Sequence, residues 1–488
     1  MEAWKLGRFN VVVPIMLPLE ETVFLRLPLP YKVGDARCPG NSDEKLRTEV
    51  ATYIWLEENC PEAPIPTLRA FGFPDGSATS WAAGSVLLLY VPSSKRNPLE
   101  HGYLILSEAK GEMLSLSWEK YRHDKSYRER LFLGLANVTL SLNRTPLSRI
   151  ASLTLRPNGC VALSNGPLDL HFQMLENEGI SSGIPRHRTY AAFEPYISDL
   201  ISLQDSKMLH QPNSVRNFAD GKRQLAALVT LRAVMPTFIR PQYREGPFHL
   251  TLTDLDQSNI FVDGQWNIKT IIELEWACAR PIEMQMPPFW LTSRAVDGFK
   301  DADEIAEYDA ILAEYLEFSA AEEKRRNGVA LEAPIQRHVW RSGAFWFFHA
   351  ALTPKGMFNL FSRHIHPHFS KVHPQMIIFN EMLFCYWGLQ AEKTIGLKVR
   401  QKDEYVEKVR QVFGQPVEQR ATWGGEDRLA EPRAPGYSRR WVDFFLIVQS
   451  YYWRGADQKL HSSRMYMYIT TKTMILGNDL LGCSILCL

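Results

Sequence analysis

The chain has 488 residues, and its 55 Lys and Arg against 54 Asp and Glu give a formal net charge of +1. This near-neutral balance gives no electrostatic basis for binding nucleic acid. A hydrophobic content of 45% excludes global disorder. No uninterrupted apolar segment is long enough to span a bilayer, so no membrane partner is expected.

The cellular compartment is predicted from the first residues and from the cysteines. The opening MEAWKLGRFN has no basic region followed by an apolar run, so no signal peptide is expected. The seven Cys are scattered without a CxxC pair, which is typical of buried thiols in a reducing compartment. We therefore expect a cytoplasmic protein.

Residues 1–111 predict a small β-rich lobe that contains one helix. Within 9–33, two apolar runs rich in β-branched residues favour strands. An amphipathic pattern over 41–59 predicts the helix, in which Asn41 and Glu44 have the spacing of a capping box. The apolar stripe of this helix consists of Leu46, Val50, Tyr53 and Ile54.

Residues 112–414 predict a larger and mainly helical lobe. The polar, Gly/Pro-rich stretch 415–440 is typical of a linker, and 441–488 shows no clear periodicity and stays unassigned. The fold class predicted from these patterns is α+β. Helical periodicity runs through 127–142, 192–205, 220–239, 301–325, 335–350 and 375–392.

The segment that points most directly to chemistry is Thr253–Asn259, in which an Asp precedes an Asn by five positions. This is the D-x-x-x-x-N spacing of the kinase catalytic loop, where the carboxylate orients the attacking hydroxyl. Asp254 is therefore the candidate catalytic base. A loop Asp that bonds only its own backbone is the alternative, and the spacing to Asn259 favours the catalytic interpretation.

Asn259 and Glu273 are the candidate metal ligands, because Mg²⁺ prefers hard oxygen donors. The apolar runs Ile260–Val262 and Ile268–Leu274 can pair as a hairpin, which would bring the two residues close together. Glu275, two residues further on the same side of a strand, is the nearest competitor of Glu273. A Glu273 that only caps a neighbouring loop is the non-functional alternative.

Glu49 stands on the apolar side of the predicted helix and needs a cationic partner, because burying an unpaired carboxylate is costly. Arg26 is the best candidate for that partner, and Lys32 is the second. In kinases such a pair holds the α- and β-phosphates, so Arg26 and Glu49 are the candidate cofactor-binding residues. An exposed helix carboxylate is the alternative. Gly7–Asn10 and Leu106–Gly111 are weaker candidates for a phosphate loop and for a segment that meets adenine.

Together these residues resemble the aminoglycoside phosphotransferase family, and most closely its fungal members. The resemblance covers roughly residues 5–413 and rests on RFNVVVPI through CPEAPIP, on GYLILSEAKGEMLSLSW and, most specifically, on GPFHLTLTDLDQSNIFVDGQWNIKTIIELEWACARPIEM. It implies a protein-kinase-like bilobal fold with Mg-ATP between a small β-rich lobe and a larger helical lobe. It also implies that Asp254 is the catalytic Asp, that Asn259 and Glu273 hold the metal, and that Glu49 and Arg26 are the helix Glu and the usual Lys.

Three features depart from the family's pattern. The loop usually reads His-Gly-Asp-Leu-His, whereas the segment 252–256 of this chain reads Leu-Thr-Asp-Leu-Asp and lacks both His. Its final Asp256 adds a like charge close to the base, which disfavours ionisation of one of the two carboxyls. Glu273 in place of Asp lengthens a metal-binding arm by one methylene, and Arg26 in place of Lys changes the shape of the charge.

Two functions of different classes are therefore predicted. The first is an ATP-dependent phosphotransferase that moves the γ-phosphate to a hydroxyl of a small molecule, with ATP and Mg²⁺ as cofactors. The second is a catalytically weak or inactive protein that keeps the fold as a binding or scaffolding module. A cationic acceptor would need an acidic pocket, for which the candidates are Glu194, Asp199, Asp205 and Glu283.

Overall fold

The structure is a computed structural model. Residues up to Tyr405 belong to one compact unit, and a second unit begins at Val406. The predicted linker 415–440 and the unassigned segment 441–488 lie outside the described residues. The described part of the chain has an antiparallel sheet followed by a mainly helical region, in agreement with the predicted α+β class. The described residues are 4–17, 21–81, 90–92, 99, 101–353, 356–370 and 376–413.

An antiparallel sheet of seven strands forms the amino-terminal region. Its strands are β1 (Lys5–Leu6), β2 (Asn10–Met16), β3 (Thr22–Pro28), β4 (Leu68–Gly72), β5 (Ala78–Trp81), β6 (Tyr90–Pro92) and β7 (Tyr103–Ser107). They are hydrogen-bonded in the order β1-β2-β3-β7-β4-β5-β6. The predicted strands in 9–33 are confirmed as β2 and β3, which pair from Asn10↔Pro28 to Met16↔Thr22. Arg26 on β3 lies opposite Leu104 on β7.

The predicted helix is confirmed as α1 (Asn41–Asn59), but its first turn differs from the prediction. Gly40 occupies the N-cap position with φ of 97°, and its carbonyl accepts the N–H of Glu44 at 2.9 Å. The side chain of Asn41 donates instead to the carbonyl of Val33 at 2.7 Å. The predicted capping box is therefore wrong, because a tertiary contact takes the side chain that would have formed it.

The helix α1 packs its predicted apolar stripe against the sheet. Leu46 and Val50 are buried and share a core with Leu68 on β4. Burial of a side chain of this size contributes about 1.5–3 kcal/mol to stability. This stabilisation is gained only when the apolar stripe faces the sheet, so it fixes the rotation of α1 about its own axis. The same rotation turns Lys45 and Glu49, one helical turn apart, into the protein interior.

From residue 114 onwards the described chain is mainly helical, and no helix in it has the length and apolar character needed to cross a membrane. Its helices are α2 (Leu114–Tyr121), α3 (Lys125–Asn143), α4 (Leu170–Asn177), α5 (Phe193–His210), α6 (Phe218–Phe238), α7 (Ala302–Asn327), α8 (Glu332–Arg341), α9 (Ala344–Leu352), α10 (Met357–Leu360), α11 (His366–Phe369), α12 (Met376–Leu383) and α13 (Ala391–Phe413).

Two of the predicted helices are each broken into two. The range 335–350 falls on α8 and α9, which are separated at Gly343 with φ of 79°. The range 375–392 falls on α12 and the beginning of α13. Hydrophobic periodicity did not reveal the first break because apolar residues continue on both sides of it. The break depends on a left-handed backbone that glycine adopts without a steric penalty.

The described part of the chain also has three short antiparallel sheets, and the predicted catalytic segment lies between strands of two of them. The sheets consist of β8 (Glu112–Met113), β12 (Ile260–Val262) and β13 (Ile268–Ile271), of β9 (Ser152–Leu155) and β10 (Val161–Asn165), and of β11 (Phe248–Thr251) and β14 (Cys278–Pro281). The predicted hairpin is confirmed, because β12 and β13 pair with Ile260 opposite Ile271. Asp254 lies between β11 and β12, and Glu273 lies between β13 and β14.

Gly111 stands where the chain passes from the seven-stranded sheet into the helical region. Its φ is +94°, and a Cβ at this position would lie only 2.6 Å from the carbonyl oxygen of Val262. Both facts require glycine. The neighbouring Lys110 bonds the hydroxyl of Thr270 through its N–H at 2.9 Å and its carbonyl at 3.0 Å. These two backbone groups of the predicted adenine segment are therefore already engaged.

A buried ion pair connects the beginning of α4 to β14, and the variant Asp169→Asn tests it. Oδ2 of Asp169 lies 2.6 Å from Nη2 of Arg280, and both side chains are buried. Removing the carboxylate leaves a buried guanidinium uncompensated, so we expect the free energy of unfolding to fall by about 3–5 kcal/mol. Asparagine can keep the helix cap that Asp169 makes to the N–H of His171. Denaturant unfolding of variant and wild type measures the loss.

The matched control for this prediction is Asp403→Asn. Asp403 lies 3.2 Å from Lys402 in a pair whose Asp side chain is 69% exposed, and such pairs contribute about 0–1 kcal/mol. A loss for Asp169→Asn that is no larger than the loss for Asp403→Asn would contradict a stabilising role for the buried pair.

Candidate active site

The candidate base Asp254 lies in a tightly bonded turn. The side-chain nitrogen of Asn259 donates to the backbone oxygen of Asp254 at 2.7 Å and to its Oδ2 at 3.3 Å, while the backbone N–H of Asn259 donates to the carbonyl of Asp256 at 3.0 Å. The hydroxyl of Thr253 donates to the carbonyl of Trp276 at 2.7 Å. The sequence analysis missed this last bond, which ties the loop to the segment that follows Glu275.

The hairpin brings the two candidate metal ligands close together. The N–H of Ile272 donates to the carbonyl of Asn259 at 3.0 Å, so Glu273 directly follows a residue that is bonded to Asn259. The backbone of Glu273 is left-handed, with φ of 64° and ψ of 57°. This conformation is uncommon for a residue with a side chain, and such strain persists only where the surrounding structure imposes it.

Arg26 connects the sheet, α1 and the chain beyond the hairpin. Its Nη1 makes an ion pair with Glu49, the partner that the sequence analysis favoured. Its Nη2 lies 2.7 Å from Oε2 of Glu273 and 3.0 Å from both carboxylate oxygens of Glu275. Lys32, the second candidate for the partner of Glu49, lies over a neighbouring tyrosine ring instead. One guanidinium therefore contacts three carboxylates, one from α1 and two from the segment after the hairpin.

Lys45 and Asn10 belong to the same cluster. The sequence analysis did not consider Lys45, and it considered Asn10 only as the last residue of the weak phosphate-loop candidate Gly7–Asn10. Nζ of Lys45 lies 3.0 Å from Oε1 of Glu275 and donates to Oδ1 of Asn10 at 2.8 Å. Nδ2 of Asn10 in turn donates to Oε1 of Glu275 at 3.0 Å. A signal for Lys45 was present in the sequence, because it precedes Glu49 by four residues and so shares its helix face. No local signal indicated that Asn10 contacts Lys45 and Glu275.

The cluster has three carboxyl groups but two cations, and the pKa values of the carboxyl groups differ accordingly. Burial raises the pKa of Glu49 to about 7, although Arg26 beside it acts in the opposite direction. Loss of solvent likewise raises the pKa of Glu273 to about 8 against the effect of Arg26. Burial also opposes ionisation of Glu275, but Arg26 and Lys45 outweigh it and hold that pKa well below its usual range.

The pKa of Asp254 is raised to about 7. Burial is the largest cause, followed by the negative charges of Glu275 and Asp256, while Arg8 and the hydrogen bond from Asn259 act in the opposite direction. The like-charge effect predicted for Asp256 is therefore present, but it is smaller than the effect of burial. A carboxyl with a pKa near 7 is suited to general base chemistry near neutral pH.

The donor chemistry at Asn259 and Glu273 fits a magnesium ion. Asn259 uses its amide nitrogen on Asp254, and its amide oxygen, which accepts a long 3.5 Å bond from the hydroxyl of Ser258, is the candidate hard donor. The side chain of Glu273 is 23% exposed and belongs to a cluster in which three carboxyl groups outnumber two cations. No group of three or more His, Cys, Asp and Glu in the described part of the chain forms a complete metal cage. Mg²⁺ bound by one or two protein ligands, phosphates and waters does not need one.

The turn between β1 and β2 packs against the residue after Glu275. The ring of Phe9 meets the ring of Trp276 edge to face, with 5.3 Å between centroids. The N–H of Gly7 donates to the carbonyl of Asn10 at 2.8 Å and closes the turn. The buried indole nitrogen of Trp276 has no hydrogen-bond partner among the described residues. The weak phosphate-loop candidate Gly7–Asn10 thus lies against the cluster.

The four acidic residues considered for an acceptor pocket each have their own local partner. Glu283 pairs with Arg240 at 2.5 Å, and Glu194 pairs with Arg244. Asp199 accepts the hydroxyl of Tyr190 at 2.8 Å, and Asp205 accepts the indole N–H of Trp387 at 2.7 Å. The described contacts therefore do not join them into one acidic pocket.

The site thus contains a turn with a carboxyl of raised pKa, two adjacent oxygen donors and a buried cluster of three carboxylates and two cations. Comparisons of the chain with protein-family models and with curated proteins found no match.

Proposed function

We propose that this chain is an ATP-dependent phosphotransferase that moves the γ-phosphate to a hydroxyl of a small molecule. On this proposal it is a relative of the aminoglycoside phosphotransferases with a protein-kinase-like bilobal fold. One observation carries the proposal. The guanidinium of Arg26 contacts both Glu49 on α1 and Glu273 after the hairpin. In protein kinases the ion pair of strand cation and helix carboxylate and the metal-binding carboxylate must both be in place for catalysis.

Each residue then has a defined task. Asp254 accepts the hydrogen bond of the acceptor hydroxyl, orients it towards the γ-phosphate and takes its proton. Asn259 and Glu273 would hold Mg²⁺, which neutralises charge on the triphosphate when bound. Glu49 holds Arg26 in place, and Arg26 supplies positive charge beside the site.

The second candidate is a binding module with little or no catalytic activity. The observation that favours it is the ion pair between Nη2 of Arg26 and Oε2 of Glu273 at 2.7 Å. A bound metal ion would have to compete with this guanidinium for the carboxylate. The substitution of Arg for Lys matters here, because a guanidinium holds a carboxylate in a fixed fork geometry that an ammonium lacks.

Thermal unfolding with ATP, in the presence and absence of Mg²⁺, tests the proposal. A ligand that binds only the native state stabilises it by about 2.7 kcal/mol at a hundredfold excess over its dissociation constant. We expect ATP with Mg²⁺ to raise the midpoint and ATP with excess chelator to raise it much less. The Mg²⁺-dependent part should disappear in Glu273→Gln, which keeps the size of the side chain and removes its charge.

Glu129→Gln is the matched control, because Glu129 is an exposed carboxylate 3.9 Å from Lys125 on α3 and lies in a solvated pair. It should keep the full response to Mg-ATP. If ATP causes no shift in the wild type under either condition, the phosphotransferase proposal fails and the binding-module function is favoured.

A further inference from the structure

A lysine with no exposed surface lies at the centre of the candidate site. The side chain of Lys45 is 0% exposed, and burying an ammonium without partners is costly. Its Nζ contacts Oδ1 of Asn10 at 2.8 Å and Oε1 of Glu275 at 3.0 Å, and it lies over the ring of Trp276 at 5.8 Å from the centroid. Asn10 and Glu275 are themselves buried. Specific polar contacts therefore compensate the cost of burying the ammonium of Lys45.

These contacts join three separate segments of the chain. Asn10 begins β2 directly after the turn formed by Gly7–Phe9, and Glu275 stands two residues after the candidate metal ligand Glu273. Lys45 itself is on α1, one helical turn before Glu49. Asn10 and Glu275 are also bonded to each other at 3.0 Å. The triangle of side chains thus fixes the turn relative to α1 and to the segment that carries Glu273.

Arg26 and Lys45 have different roles in the cluster because they contact different groups. Arg26 contacts Glu49, Glu273 and Glu275, so its fork is fully occupied by carboxylates. Among the described contacts of this cluster, it is Lys45 that bonds Asn10, the residue that directly follows the Gly7–Phe9 turn. An ammonium has three donors on a flexible stem, which suits a bridge between an amide and a carboxylate that lie in different directions.

The turn held in this way has features that suit an anionic ligand. Arg8 in the turn is near enough to Asp254 to act on its charge. The indole N–H of Trp276, against which Phe9 packs, is buried and lacks an acceptor among the described residues. Phosphate oxygens are acceptors that a guanidinium such as that of Arg8 binds well.

We propose that Lys45 is a positioning residue. Through Asn10 and Glu275 it holds the Gly7–Phe9 turn in the position in which the turn contacts the phosphates of a nucleotide. This inference rests on the proposed function, because it takes a nucleotide phosphate chain as the ligand. It predicts that loss of the bridge weakens binding in proportion to the number of phosphates. The adenosine part of the ligand should be unaffected.

The test compares Lys45→Met, Lys45→Arg and Asn10→Leu with the wild-type full chain. Dissociation constants are measured for adenosine, ADP and ATP with Mg²⁺, and the fold of each variant is checked by circular dichroism. We expect Lys45→Met to lose at least about tenfold in affinity for ATP, less for ADP and under twofold for adenosine. Lys45→Arg should restore part of the loss because it keeps a donor and a charge.

Asn10→Leu separates positioning from direct contact, and it also keeps the test valid if Lys45→Met does not fold. This variant leaves the charge of Lys45 in place and removes its bridge to the turn, so the same graded loss across the three ligands is expected. If Asn10→Leu binds ATP as tightly as wild type does, the positioning role is overturned. Lys125→Met, which removes an exposed lysine on α3, is the control for loss of charge alone.

The failure of this inference differs from the failure of the proposed function. A wild type that binds ATP, together with Lys45→Met and Asn10→Leu variants that bind it equally well, overturns the role of Lys45 alone. A wild type that binds no ATP with Mg²⁺ overturns both. An equal loss for adenosine, ADP and ATP in the variants also overturns the inference, since it would indicate general damage to the site.

Discussion

The variant Asp254→Asn is expected to lose phosphotransfer by a factor of about 10²–10⁴, the usual contribution of a positioned general base. Asparagine cannot take the proton of the acceptor hydroxyl. The fold should be preserved, because the 2.7 Å bond from Asn259 goes to the backbone oxygen of residue 254 and not to its side chain. The measurement is ADP release from ATP and Mg²⁺ across a panel of small hydroxyl compounds.

Asp256→Asn is the matched control, since it makes the same substitution two residues away in the same turn. It removes a negative charge that raises the pKa of Asp254, so it should retain activity. In the wild type, activity should rise with pH through about 7 as Asp254 ionises. In Asp256→Asn this rise should occur at lower pH, because the like-charge repulsion is weaker. Equal activity of Asp254→Asn and wild type would contradict the role of Asp254 as the base.

The variant Arg26→Met is expected to lower the free energy of unfolding by about 3–5 kcal/mol, the cost of leaving buried charges without their partner. Glu49, Glu273 and Glu275 all lose a contact at once, and Lys45 remains as the cation of the cluster that contacts Glu275. Denaturant unfolding followed by tryptophan fluorescence measures the change. Binding of ATP with Mg²⁺ should be lost in the same variant.

The loss in Arg26→Met should depend on pH, and its sign follows from the raised carboxyl pKa values. Glu49 and Glu273 have folded-state pKa values of about 7 and about 8, above that of an unfolded Glu. Protonation of these two groups contributes to the free energy of unfolding. This contribution is fully present below the pKa of the unfolded Glu and is lost as pH rises through the folded-state pKa values. Without the guanidinium the same groups repel one another more strongly. The variant should therefore be more destabilised at pH 9 than at pH 6.

Two further variants make this result specific. Arg144→Met removes an exposed arginine paired with Glu62, for which about 0–1 kcal/mol is expected. Adding Glu49→Gln to Arg26→Met should recover part of the lost stability, because it removes one of the uncompensated charges. If Arg26→Met is no more destabilising than Arg144→Met, then Arg26 does not hold the three carboxylates together.

The elements with strong local signals could be predicted from the amino-acid sequence alone. The strands β2 and β3 follow from runs of β-branched residues, and α1 follows from an apolar stripe at helical spacing. The pairing of β12 with β13 follows from two apolar runs separated by a turn. The contact between Arg26 and Glu49 was also predictable, because a carboxylate on an inward helix face needs a nearby cation.

The ion pairs of the site could not be assigned from local patterns, because they join segments that are far apart in the chain. Glu275 was a competitor of Glu273 on sequence grounds, and the structure shows Arg26 in contact with both. Lys45 and Asn10 join the cluster from segments that are distant from Glu275 in sequence. Ion pairs and hydrogen bonds depend on side-chain positions within a few ångströms. Local periodicity fixes which face of an element is buried, but not which groups from other elements meet that face.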